Sequence, residues 1–173
     1  MDNIIYSSAV SISKAIKKRE ISSVEVVEAH LRRIEQVNPK LNAVVRICGD
    51  RAMEEARGAD TKHSKDALGP LHGVPITVKD SHDTKGILST AGTKGREQFV
   101  PSKDSTVVSR MRKAGAIVLG KTNTPELTLS FETDNLVYGR TNNPYDVSRT
   151  SGGSSGGAGA IVAAGGSPID LGT

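Results

Sequence analysis

Between Val74 and Leu119 the chain changes its hydrophobic period twice, and this limits the folds open to it more than any other feature. Val74, Ile76 and Val78 alternate ahead of Lys79 and Asp80, the pattern of a strand whose end presents a lysine and an aspartate. Ser105 then heads a helical pattern through Val107, Val108, Met111 and Ala114, Gly115 closes it, and residues 116–119 read as a buried strand. Two strands joined through a helix pair in parallel, because the crossover returns the chain to the edge it left. The expectation is an α/β fold with a mixed, largely parallel sheet flanked by helices.

The flanks agree with this. Residues 7–19 carry apolar groups at Val10, Ile12, Ala15 and Ile16, a helical spacing. Ser22 and Glu25 predict a capping box, Ile21 a staple onto Val26, and Val27, Leu31 and Ile34 continue the face until Asn38-Pro39 is expected to end the helix. Residues 41–47 read as a short strand, 50–59 as a third helix, and 60–66 as a polar loop. With no repeat and no convincing linker, residues 1–173 are taken as a single unit, helical to about residue 60 and sheet-forming from about 61 onward.

Composition narrows the class. With no Trp, two Phe and three Tyr, the core must be filled by Val, Ile, Leu and Ala. The net charge of +4 comes from Lys and Arg interleaved with Asp and Glu, so solvated helix faces are expected and nucleic acid is not an expected partner. The single Cys48 excludes an internal disulfide and fits a reducing compartment; among Val44, Val45 and Ile47 it reads as a buried structural thiol. No long apolar run or signal pattern stands at the N-terminus, so no membrane segment is expected and a cytoplasmic location is the default.

Gly115-Ala116-Ile117-Val118-Leu119-Gly120-Lys121-Thr122 matches the phosphate-loop pattern letter for letter. Such a loop needs flexible backbone between its glycines, so that successive N–H groups can curl around oxygens. Ala, Ile, Val and Leu prefer a strand there, and Asn123 and Pro125 oppose a helix after Lys121. Nucleotide binding is not expected.

Three other segments carry the chemistry. They are Pro70-Leu71-His72-Gly73-Val74-Pro75 running on to Val78-Lys79-Asp80; Gly120-Lys121-Thr122-Asn123-Thr124-Pro125-Glu126-Leu127; and Gly152-Gly153-Ser154-Ser155-Gly156-Gly157 after Asn143-Pro144-Tyr145-Asp146. The last could be a flexible linker, but it stands between a turn-forming stretch and an apolar, Ala-rich helix expected over residues 158–164. A serine among glycines at a helix start is the geometry of an exposed catalytic hydroxyl beside oriented N–H groups.

In order and spacing these three segments resemble the amidase-signature family, and the resemblance runs over nearly the whole chain. It implies an N-terminal portion of the amidase-signature fold, incomplete at its C-terminus, and an amidase that hydrolyses a small-molecule amide through a Ser-Ser-Lys triad. Lys79 corresponds to the lysine base and Ser154 to the bridging serine, which follows a cis peptide bond, here Gly153-Ser154. Gly152, Gly153, Ser155 and Gly156 correspond to the supporting loop, and Thr128, with Ser154, to the substrate pocket. No cofactor and no metal is implied. Ser151 departs from the family, where many members have proline. The base works only when neutral, so burial must pull Lys79 down from about 10.4.

The family nucleophile belongs to a Gly-Thr-Asp-x-Gly-Gly-Ser segment, and would lie five positions past Thr173. The chain alone is therefore expected to be inactive and to expose apolar surface beyond Leu171; a homo-oligomer is compatible with this. Residues 131–135 and 158–160 look more like general or fatty-acid-amide hydrolases than the alternative, the glutaminase-type subunit of a tRNA-dependent amidotransferase. The other alternative is a non-catalytic fragment or assembly module.

Overall fold

The computed structural model describes residues 4–62 and 68–173. The polar loop expected over 60–66 falls largely outside the described residues. Helix α1, Ala9–Lys17, starts at Ser8, whose hydroxyl accepts from Ser11 N at 3.1 Å, and buries Ile12, Ala15 and Ile16. Helix α2, Ser23–Leu41, has both halves of the capping box: Glu25 N donates to Ser22 Oγ at 3.1 Å and Ser22 N to Glu25 Oε2 at 2.8 Å. Ile21 packs into the cluster that holds Val26, as a staple should.

Pro39 does not end α2. The helix runs through it to Leu41 and stops at Asn42, in the left-handed region at φ 50°. In the last turn a proline forgoes one hydrogen bond, and little helix remains beyond it to disturb. Asn38 is turned into an anchor instead: its Oδ1 accepts from Ala43 N and Val44 N at 2.9 and 2.8 Å, fastening the next strand to the helix end.

That strand is β1, Val44–Ile47, followed by α3, Gly49–Asp60. Then come β2, Pro75–Lys79; α4, Thr106–Lys113; β3, Ile117–Thr122; α5, Gly156–Ala163; and β4, Asp170–Leu171. The sheet order is β1-β3-β2-β4, with β2 parallel to both neighbours and β1 antiparallel to β3. One strand thus comes from before residue 60. The eight letters of the phosphate-loop pattern end in the buried strand β3. Ser105 stands at the head of α4, but its hydroxyl caps nothing and is buried without a partner; its backbone N–H is held by Asp83 O at 2.8 Å.

Two apolar clusters cover the two faces. On one, Ile117 and Leu119 of β3 and Val44 of β1 meet α2, α3 and α5 through Val27, Ile34, Ala52, Ala56 and Ile161. On the other, Ile76 and Val78 of β2 and Val118 of β3 meet Val108 of α4. Alternation therefore puts Thr77 and Lys79 on the α5 side. Between Ile76 and Thr77 the β2–β3 register slips by one, so Val78 pairs with Lys121 and Lys79 with Thr122. The slip carries Lys121 to the face opposite Leu119.

Cys48, at the head of α3, is half-buried against the second cluster, and burial pushes its thiol upward. Leu171 is half-buried there too; the most exposed apolar side chains stand elsewhere, at Leu129, Phe131, Leu136 and Tyr145. Among the described residues, no helix is long and apolar enough to cross a membrane.

Candidate active site

The site is built where the C-terminal ends of β2, β3 and β4 meet the start of α5. Lys79, the last residue of β2, is 0% exposed. Its Nζ donates to Ser154 Oγ at 2.8 Å and to Thr173 Oγ1 at 2.7 Å. Burial pulls its pKa below the ordinary lysine value, and the charge of Asp170 opposes that shift. Both hydrogen-bond partners are hydroxyls, which can accept from an ammonium and donate to a neutral amine alike. The same contacts therefore serve either protonation state.

The glycine-rich run is an ordered turn. The Gly153-Ser154 peptide bond is cis, and Gly152 is left-handed at φ 78°. Thr133 Oγ1 clamps the run at two points, donating to Gly152 O at 2.8 Å and accepting from Gly156 N at 3.0 Å. A Cβ on Gly156 would collide with that hydroxyl, and one on Gly157 with Asn123 N at the end of β3. Close backbone approach, not flexibility, explains these glycines. Thr124 Oγ1 donates to Ser154 O at 3.1 Å, and Ser155 Oγ donates to Thr173 O at 3.0 Å. Ser151, at the departure from the family pattern, donates to Thr141 O at 3.3 Å.

Ser154, Gly153 and Thr173 form one wall of an open depression of about 430 Å³; Thr128, Leu129, Ser130 and Phe131 form the other. Thr128, whose backbone is left-handed at φ 64°, is thus brought to the same depression as Ser154. Lys79, Ser154 and the glycine-rich run that holds Ser154 thus lie together, with Thr128 across the depression.

Two parts of the site went unread. Asp170, on β4, takes a hydrogen bond from Thr122 Oγ1 at 3.0 Å beside Lys79, and burial raises its pKa. On the opposite face, Lys121 Nζ donates to His82 O at 2.7 Å and Ser89 Oγ at 2.8 Å, 3.6 Å from Asp80 Oδ1. Asp80 Oδ2 accepts from Thr90 N and Oγ1 at 2.9 and 2.6 Å. Burial pushes Lys121 down to about 8, against the pull of Asp80. The signal for this pair was an aspartate directly after Lys79 and a lysine at the end of an otherwise apolar strand.

Comparison with known proteins shows the family to which the chain belongs. The sequence model of the Amidase family matches residues 25–173, and the chain belongs to this family, the amidase-signature enzymes. It is 48% identical over 159 residues to an indoleacetamide hydrolase of Bradyrhizobium diazoefficiens, covering 91% of this chain and 30% of that protein. It is 42% identical over 174 residues to a glutamyl-tRNA(Gln) amidotransferase subunit of Acidothermus cellulolyticus, covering 100% of this chain and 34% of that one. A solved fatty acid amide hydrolase superposes with a TM-score of 0.92 at 32% identity, over 98% of this chain and 30% of that one. The chain spans about a third of the length of the curated relatives it matches.

Proposed function

We propose that Lys79 and Ser154 are the base and the proton bridge of an amide hydrolase, and that the substrate is a small carboxylic amide seated in the depression beside Thr128. The observation that carries this reading is the 2.8 Å contact between Ser154 Oγ and a fully buried lysine. A lysine out of water gives up its proton more readily. Once neutral, its lone pair faces the Ser154 hydroxyl. Ser154 passes its proton to Nζ while taking one from an attacking serine, and later returns a proton to the leaving amine. Among the described residues no second serine hydroxyl is bonded to Ser154 Oγ; the resemblance assigns the attacking serine to the segment that follows Gly172-Thr173 in the family.

Turnover of a panel of small amides by the full-length protein tests this. Lys79→Ala and Ser154→Ala are each expected to lower kcat/KM by about 10²–10⁴-fold. Near-normal turnover in either variant would overturn the assignment.

A second reading, the glutamine-hydrolysing component of an amidotransferase, is favoured by the alignment over 100% of the chain with a subunit of such an enzyme. Activity on glutamine that rises when the partner chains are added would select it; activity on other amides without partners selects the hydrolase.

A further inference from the structure

We propose that Asp170 is a positioning residue of the Lys79 site, a carboxylate held on the same face of the sheet that sets how tightly Lys79 keeps its proton. The inference rests on the reading of Lys79 as the base.

Parallel pairing of β4 with β2 places Asp170 opposite Thr77, and partners in register share a face. Lys79 is two residues on from Thr77, on that same face. Thr122, the β3 partner of Lys79, donates to Asp170 Oδ2 at 3.0 Å. Three neighbouring strands thus contribute buried Lys79, buried Thr122 and half-buried Asp170 to one polar patch. Asp170 Oδ1 is buried, and the Thr77 hydroxyl on the same face helps to hold the carboxylate charged. A carboxylate oxygen out of water still carries a desolvation penalty, which a nearby cation can offset.

The charged groups around the patch are few. From β2 there is Lys79. From β3 there is Lys121, which lies on the other face and is engaged by Asp80. After β2 comes His82, which burial keeps below the ordinary histidine value. Burial raises Asp170 and lowers Lys79, and the charge of each opposes the other's shift. Without Asp170, desolvation would act on Lys79 unopposed. Lys79 would then lose its proton at lower pH and be a weaker base when neutral.

Carbon-detected NMR of the 173-residue chain, labelled at lysine Cε and aspartate Cγ, tests this without any turnover. The Lys79 signal is assigned by its loss in Lys79→Met. In Asp170→Asn its inflection is expected about one pH unit lower. Asp80→Asn is expected to move Lys121 and leave Lys79 in place. In the unmodified protein the Asp170 carboxyl carbon is expected to show a second inflection at the pH where Lys79 deprotonates, so the proposal stays testable if Asp170→Asn does not fold. A folded Asp170→Asn with Lys79 unmoved, an equal shift in Asp80→Asn, or no shared inflection would each overturn it. Loss of the catalytic reading would appear in the amide assay with these titrations intact.

Discussion

Lys79 and Lys121 end neighbouring strands, are both fully buried, and sit on opposite faces of the sheet. Lys121 is surrounded by groups that hold a charge: the Asp80 carboxylate at 3.6 Å, the His82 carbonyl and the Ser89 hydroxyl. A carbonyl can only accept, so these partners favour the ammonium and oppose the burial that still pulls Lys121 down to about 8. Lys79 touches two hydroxyls, which reverse direction when the proton leaves. The contrast separates a lysine that ties strand ends together from one able to pass a proton. Burial is common to both; the partners decide the role.

The largest effect expected from this contrast is on stability. Lys121→Met leaves Asp80 buried without its cation and is expected to cost on the order of 3–5 kcal/mol. Lys79→Met is expected to cost less, about 1–2 kcal/mol, since it frees two hydroxyls and removes a charge that only partly offsets the burial of Asp170. Urea unfolding of both variants measures the difference, and equal losses would break the comparison.

The next effect lies in pH. The folded-state pKa of Lys121, about 8, is below its ordinary value of 10.5. Between those values the unfolded chain still holds a proton that the folded chain has released. Stability from this group therefore rises with pH across that window, by about 3 kcal/mol in all. Unfolding curves from about pH 7 to 11 should show a larger rise in the unmodified chain than in Lys121→Met, where only the lowered Lys79 still contributes. A fall over that window would mean that Asp80 holds Lys121 charged more firmly than burial discharges it.

The smallest effect sharpens the other side. Ser154→Ala removes one partner of Lys79 and should cost only about 0.5–1 kcal/mol. A loss of several kcal/mol on thermal unfolding would show that Ser154 is a structural tie, with Lys79 resembling Lys121 after all.

Much of the frame was legible in the sequence because it is local. The β2–α4–β3 pattern and the Ser22–Glu25 box depend on residues a few positions apart, and both are present. Pro39 misled because its effect depends on how much helix follows it, and here only two residues do. Ser105 stands at the right place, but its hydroxyl follows packing that its neighbours in sequence do not reveal. Asp170 stood outside every motif; its place beside Lys79 comes from pairing two strands far apart in the chain, β2 and β4.

The sequence by itself determined the helices and the crossover between parallel strands, since propensity, capping and alternation act over short range; the resemblance to the amidase family singled out Lys79 and Ser154. The tertiary structure decided which side each charge faces. A one-residue slip between β2 and β3 sends Lys121 to Asp80 and leaves Thr122 beside Lys79 and Asp170. Because side chains alternate every residue along a strand, that single slip separates the lysine paired with Asp80 from the lysine bonded to Ser154, and no local pattern records it.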